Sequence, residues 1–205
     1  MKYYAPFQPD GYYHVVSRAT GFEKLFMEDE NYHFFLRRFI KYVSPVADTF
    51  SYSLLPNHFH FHIQVKPHSI LLELYKKQHK NAEEYNGWQH KFVMQRFSNL
   101  LNSYTKSFNK RYHRKGALFM DYLRRVEITS DTQQIATVFY IHKNPVHHGY
   151  CKAIRDWGWS SYSSLLSNEP TQLQREELMK WFGGKERFIN YHDQPIYLKN
   201  AVEVE

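Results

Sequence analysis

Leu54-Leu55-Pro56-Asn57-His58-Phe59-His60-Phe61-His62-Ile63-Gln64-Val65 is the most regular stretch of this 205-residue chain. Side chains along a β-strand alternate between its faces, so Phe59, Phe61, Ile63 and Val65 line one side, and His58, His60, His62 and Gln64 the other. One side is core; the other is imidazole. Neutral imidazoles at i and i+2 of a strand project side by side, within reach of one divalent cation. Positions four apart are separated by about 13 Å along a strand, so one small cation reaches two neighbouring histidines of the three but not both His58 and His62, and the part played by His62 is uncertain. A half-buried strand whose solvent face merely carries histidines has the same pattern. Three histidines in register opposite an unbroken apolar face favour the ligand reading.

Upstream, residues 49–55 form a strand broken by Pro56-Asn57, and so short a connection makes an antiparallel hairpin with the histidine strand. Residues 11–19 (GYYHVVSRA), rich in β-branched and aromatic types, give a first strand. Between the two, Tyr32, Phe35, Leu36, Phe39, Ile40 and Val43 recur at three- and four-residue steps. Acids open this helix and Ser44-Pro45 stops it. Downstream, residues 67–90 lose clear periodicity and read as a surface insertion with one short helix. A helical stripe returns at Phe92, Val93, Phe97, Leu100, Leu101, Tyr104 and Phe108. A basic turn, Asn109 to Gly116, then leads into a strand over 117–128. Lys106, Lys110, Arg111, Arg114, Arg124 and Arg125 are the phosphate-contact candidates, although a solvated charge cluster is as common.

Ser130 with Gln133 three residues on is a capping box, and Pro145 is expected to end the helix that begins there. Ile135, Val138, Phe139 and His142 make its apolar stripe. Tyr140 and Asn144, four apart, stand one above the other on a different face. A phenol and a carboxamide so placed are able to act together, yet the pair is commonplace in a chain with 17 tyrosines.

Lys and Arg total 27 against 20 Asp and Glu, a formal charge of +7, alongside 17 Tyr, 16 Phe and 4 Trp. Positive charge interleaved with aromatic rings suits a polyanion whose bases stack, above all single-stranded nucleic acid. The single Cys151 excludes an internal disulfide and a cysteine-based zinc site. No apolar run is long enough to span a bilayer, and the first residues lack the hydrophobic segment of a secretory signal, so a cytoplasmic protein with no membrane partner is expected.

Taken together, Pro56-Asn57-His58-Phe59-His60 and, downstream, Tyr140-Ile141-x-x-Asn144-Pro145 resemble the HUH single-tyrosine transposases, specifically the REP-associated tyrosine transposase group. Tyr13-His14-Val15-Val16-Ser17-Arg18 resembles that group's first strand. Tyr104-Thr105-Lys106-Ser107-Phe108-Asn109 and Gly116-Ala117-Leu118-Phe119 resemble its middle helix and strand. Asn144 to Tyr150 and Trp159-Ser160-Ser161-Tyr162 resemble the segment after its catalytic helix. The resemblance covers roughly residues 11–166 as one catalytic domain, with 67–90 as a helical insertion and 167–205 as a C-terminal extension.

The resemblance implies an α+β fold: an RRM- or ferredoxin-like antiparallel sheet with helices packed on one face. It implies a DNA-nicking and rejoining enzyme in which His58, His60 and the Asn144 amide oxygen bind a divalent metal, Mg²⁺ or Mn²⁺. Tyr140 is then the nucleophile that forms a 5′-phosphotyrosine. The implied substrate is single-stranded or hairpin DNA, and the implied state is a monomer or a homodimer, since some members exchange the tyrosine helix. The chain departs from the group at His62, where an aliphatic residue is usual, and at His147, where an arginine is usual. Two rival readings stand beside this one. The first is a non-catalytic single-stranded nucleic-acid-binding module of RRM-like fold. The second is a metal-dependent phosphodiesterase that uses activated water.

Overall fold

The computed structural model describes residues 4–79, 83–120 and 123–194. The alternating stretch is a strand, β3 (His58–Val65), joined to β2 (Ala47–Leu55) through the two-residue Pro56-Asn57 turn and paired on its other side with β1 (Tyr12–Arg18). A short β4 (Arg124–Ile128) adds beyond β1, so the sheet is antiparallel throughout in the order β2-β3-β1-β4. The helices are α1 (Asp29–Tyr42), α2 (His68–Gln78), α3 (Trp88–Arg111), α4 (Asp131–His147), α5 (Tyr162–Leu166), α6 (Arg175–Phe182) and α7 (Lys185–His192). The chain is α+β, as its periodicities indicate. No helix among the described residues is long and apolar enough to cross a membrane.

The apolar side of β3 builds the main core. Phe59, Phe61 and Ile63 are fully buried against α1 and α3: Phe39 stacks on Phe61 with centroids 4.0 Å apart, and Phe35 meets Phe59 at 5.1 Å. Each such phenylalanine contributes about 1.5–3 kcal/mol by leaving water. The expectation of helices on one face extends to both in the structure. α4 lies across the histidine side of the sheet, and α6 and α7 pack over α4, with Phe50, Val138, Phe182 and Phe188 as a second core. Residues 173–192 thus cover the face that the first core leaves open.

Both sheet edges are closed, which removes a template for unwanted strand pairing. Backbone bonds from Leu54, Thr49 and Tyr52 to Trp159, Gln174 and Ser161 cover β2. On the far edge the Arg125 guanidinium, buried over Phe7, donates to the carbonyls of Ala5, Leu123 and Tyr4 and clamps the N-terminal segment to β4. The expected strand over 117–128 shrinks to β4 plus an isolated Ala19–Phe119 bridge; residues 121 and 122 lie outside the described residues.

Ser130 caps α4 as expected, its hydroxyl accepting from the Gln133 amide. Pro145 does not end it. The helix runs on to His147 and closes on Gly149, whose φ of 71° places it in the left-handed region. The Gly149 amide donates to Val146 O and the Tyr150 amide to Pro145 O, the paired bonds of a Schellman stop. The proline ring costs one backbone hydrogen bond in this last turn, while its own carbonyl accepts from the Tyr150 amide.

His142, on the expected apolar stripe, is fully buried but not apolar in its contacts. Its Nδ1 lies 2.9 Å from Nε2 of His192 on α7, its Nε2 lies 2.7 Å from Ser161 Oγ, and His192 Nδ1 donates to Phe188 O. The chain of bonds closes when both imidazoles are neutral, with Nδ1–H of each donating and Ser161 donating to His142. Burial pushes His142 well below the usual imidazole range and His192 down to about 4. A histidine depressed in the fold contributes stability that is complete above its unfolded value of about 6.5 and is lost as pH falls toward the folded value. For His192 alone the loss reaches about 3 kcal/mol by pH 4. The urea midpoint is therefore expected to fall steadily from pH 6.5 to pH 4.5, and a midpoint that stays flat across that interval contradicts a neutral His142–His192 pair.

Candidate functional site

Where α4 crosses the start of β3, the four residues that the sequence singled out come together. Asn144 Oδ1 lies 3.0 Å from His58 Nε2. One turn earlier, the Tyr140 ring meets His60 and His14 edge-on, each with centroids 5.7 Å apart. His58 and His60, two apart on the strand, have ring centroids 5.0 Å apart. Tyr140 and Asn144 were expected off the core stripe; they occupy a second buried face of α4, 4% and 1% exposed, turned toward the histidines of their own chain.

Two further histidines join them. His14 of β1 is fully buried, with Nε2 2.9 Å from His60 Nδ1. His148, just past α4 and exposed, sets its ring 5.0 Å from that of His58. Burial, followed by the neighbouring His58 and His14, holds His60 well below the ordinary imidazole pKa, so the ring is neutral. A neutral imidazole carries one N–H, and the contact with His14 offers two arrangements. If His14 donated, His60 would carry its proton on Nε2, which is buried without a hydrogen-bond partner. An unpaired buried N–H costs about 1–3 kcal/mol. The arrangement in which His60 Nδ1–H donates to His14 avoids that cost and leaves a bare lone pair on Nε2.

His58 is tensioned in a similar way. Its Nδ1 lies 2.7 Å from Asn57 Oδ1 while Nε2 faces Asn144 Oδ1. With one proton on the ring, one of these contacts sets lone pair against lone pair. A second proton, an amide turned by half a rotation, or a cation between the two groups relieves it. Among the described residues no group of three or more His, Cys, Asp or Glu is placed to hold a metal ion. A cation held here by three protein groups would therefore take the Asn144 amide as the third. The bare Nε2 of His60 and the facing acceptors of His58 and Asn144 make a donor set that fits one.

His62 is elsewhere. It is fully buried among the rings of Phe50, Trp181 and Tyr12, at 5.3, 5.6 and 6.2 Å, and burial, then His14, lowers its pKa to about 3. The basic candidates do not converge on one surface. Lys106 and Lys110 are exposed on α3, which covers the opposite face of the sheet. Arg111 is paired with Glu28, and Arg114 with Glu23, Asn109 and the Gly116 and Ala117 carbonyls. Arg125 is spent on the N-terminal clamp. Arg124, opposite Val16, is half-buried on the histidine side. Sequence reasoning assigned no role to Arg18, which stands opposite His58 in the β1–β3 register and is exposed there. Nor did it assign roles to His14, Asn57 or His148. His14 and Arg18 share the period-two face with Val16, but only the pairing register shows which strand face they join.

No protein-family model matches the sequence, and a search of the curated proteins finds no match. Among solved structures, the chain matches a REP-associated tyrosine transposase bound to a REP hairpin, with a TM-score of 0.60 and 14% sequence identity over 83% of this chain and 88% of that one. The two proteins share a fold over nearly their whole lengths, so the likeness first read from the sequence motifs holds for the architecture.

Proposed function

We propose that this protein is a metal-dependent single-stranded DNA endonuclease and strand transferase of the tyrosine transposase kind, acting through a 5′-phosphotyrosine on Tyr140. The observation that carries the reading is the meeting of Tyr140 and Asn144, one helical turn apart, with the paired imidazoles of His58 and His60. His58 and His60 through Nε2, and Asn144 through its amide oxygen, are the residues that would hold Mg²⁺ or Mn²⁺. Bound there, the cation would polarise the scissile phosphate and neutralise the charge that develops on it.

The protein groups do the rest. His14 keeps the proton of His60 on Nδ1, and Asn57 orients His58, the roles that outer partners play at histidine ligands. Tyr140 Oη attacks phosphorus and gives its proton to solvent; the bond between phosphorus and the 3′ oxygen breaks, and that oxygen takes up a proton from solvent and leaves as a hydroxyl. The phosphotyrosine keeps the bond energy of the phosphodiester, so a second 3′-hydroxyl displaces Tyr140 without ATP. Arg18, exposed beside His58, suits a phosphate of the bound strand. The solved relative in fold was captured with a hairpin, which supports hairpin DNA as the substrate class. One chain supplies every residue named, so a monomer suffices.

The near-complete burial of Tyr140 favours the rival reading, a binding module without cleavage. Incubation with end-labelled single-stranded hairpin DNA from the gene's flanks, with and without Mn²⁺, separates the two. Cleavage is expected only with the metal. Tyr140→Phe is expected to bind DNA within about twofold of wild type while losing cleavage roughly a thousandfold or more. Cleavage that survives in the variant points to activated water instead, and a wild type that binds without cutting leaves the binding module.

Metal titration by calorimetry gives a second check. His60→Ala is expected to abolish Mn²⁺ binding and His14→Phe to weaken it about 10- to 100-fold, the usual effect of losing an outer-shell partner. His62→Leu is expected to match wild type. Loss in His62→Leu with binding retained in His60→Ala would overturn the ligand assignment.

A further inference from the structure

Residues of α2 and α3, on the apolar side of the sheet and across it from Tyr140, line a cavity of about 460 Å³ together with Tyr85. A volume of roughly 300–1,000 Å³ is usual for sites of small organic ligands. Among the described residues the lining carries rings, two cations and three carboxamides, and no carboxylate. Tyr75 packs on His79 at 4.6 Å and on Phe92 at 5.4 Å, while Tyr85 is 46% exposed with the Lys91 ammonium 4.9 Å from its centroid. The acid next to Tyr85 in sequence, Glu84, is turned elsewhere: it accepts from the Trp88 indole N–H and stands 3.5 Å from His68.

Two polar features of the lining lack partners. The Arg96 guanidinium lies 4.9 Å over the Phe92 ring, and its Nε is buried without a hydrogen-bond partner. Buried donors are rarely left open, so this one calls for an acceptor from outside the chain. On the same helix the Gln95 amide nitrogen donates to Asn99 Oδ1 at 2.9 Å, which leaves the Gln95 oxygen as an acceptor and the Asn99 amide nitrogen as a donor. An acceptor beside a donor matches the N6–H and N7 edge of adenine, a ring face stacks on any base, and two cations without a carboxylate suit a phosphate. We propose that this cavity binds a free adenine nucleotide, with its base on the Tyr85 ring beside Gln95 and Asn99 and its phosphate at Lys91 and Arg96. The site goes beyond the DNA chemistry read at Tyr140 and does not depend on it. A nucleotide held there would tie Tyr85, in the 67–90 segment, to α3.

Calorimetric titration of the full chain with AMP in EDTA tests this, since the chelator keeps the candidate metal site out of the reaction. Wild type is expected to bind AMP with a Kd below about 1 mM, and adenosine or inorganic phosphate alone about tenfold more weakly or worse. Tyr85 and Lys91 are exposed, so Tyr85→Ala and Lys91→Gln are expected to keep the wild-type urea midpoint while weakening AMP about tenfold or more. Tyr85→Phe keeps the stacking face and is expected to bind AMP within about twofold of wild type. A wild type that does not bind AMP, or a Tyr85→Ala variant that binds it as tightly, overturns the proposal. So does inorganic phosphate binding as tightly as AMP, which would leave a simple anion site. If AMP does not bind but Tyr85→Ala weakens hairpin DNA, the base belongs to DNA and the free nucleotide is ruled out.

Discussion

Three imidazoles on one side of a central strand impose the constraint on which this fold turns. The other side of β3 buries Phe59, Phe61 and Ile63 completely, so β3 has to sit in the middle of the sheet, and the histidine side then meets α4 rather than water. A buried imidazole is tolerated when it is neutral and partnered. The chain finds a different solution at each position. His58 sits between two carboxamides and His60 leans on His14, whereas His62 is enclosed by aromatic rings with neither ring nitrogen hydrogen-bonded. These solutions are graded along the strand from a solvent-facing end to a sealed interior. The first end is the one a ligand can approach, since Arg18 and His148 stand exposed beside His58.

The sheet face, the hairpin and α1 were legible because they rest on period and turn chemistry, which are local. The alternation in β3 places each of its residues on the correct side, and Pro56-Asn57 sets the β2–β3 register. The meeting of His58, His60, Tyr140 and Asn144 came from motif resemblance rather than periodicity. By stripe alone Tyr140 and Asn144 fall off the apolar face. They are buried because α4 is covered twice, by the sheet and by α6 and α7, and a sequence pattern does not report how many layers flank a helix. Pro145 biases the residue before it out of the helix, but the Schellman bonds around Gly149 set the end.

The basic residues show the same limit from the other side. Positive charge in sequence says nothing of whether a guanidinium already has partners. Arg111 and Arg114 are held by Glu28 and Glu23, and Arg125 by three carbonyls. Arg18 stands beside His58, and only the cross-strand pairing reveals that position.

If Tyr140 is the nucleophile, DNA becomes joined to it, and the residue that carries the adduct can be found directly. Wild-type protein is incubated with Mn²⁺ and single-stranded hairpin DNA, digested with nuclease and protease, and the nucleotide-bearing peptide is sequenced by mass spectrometry. A phosphonucleotide on Tyr140 is the predicted result. An adduct on another tyrosine, such as Tyr104 or Tyr150, or cleaved DNA with no adduct at all, would contradict the account.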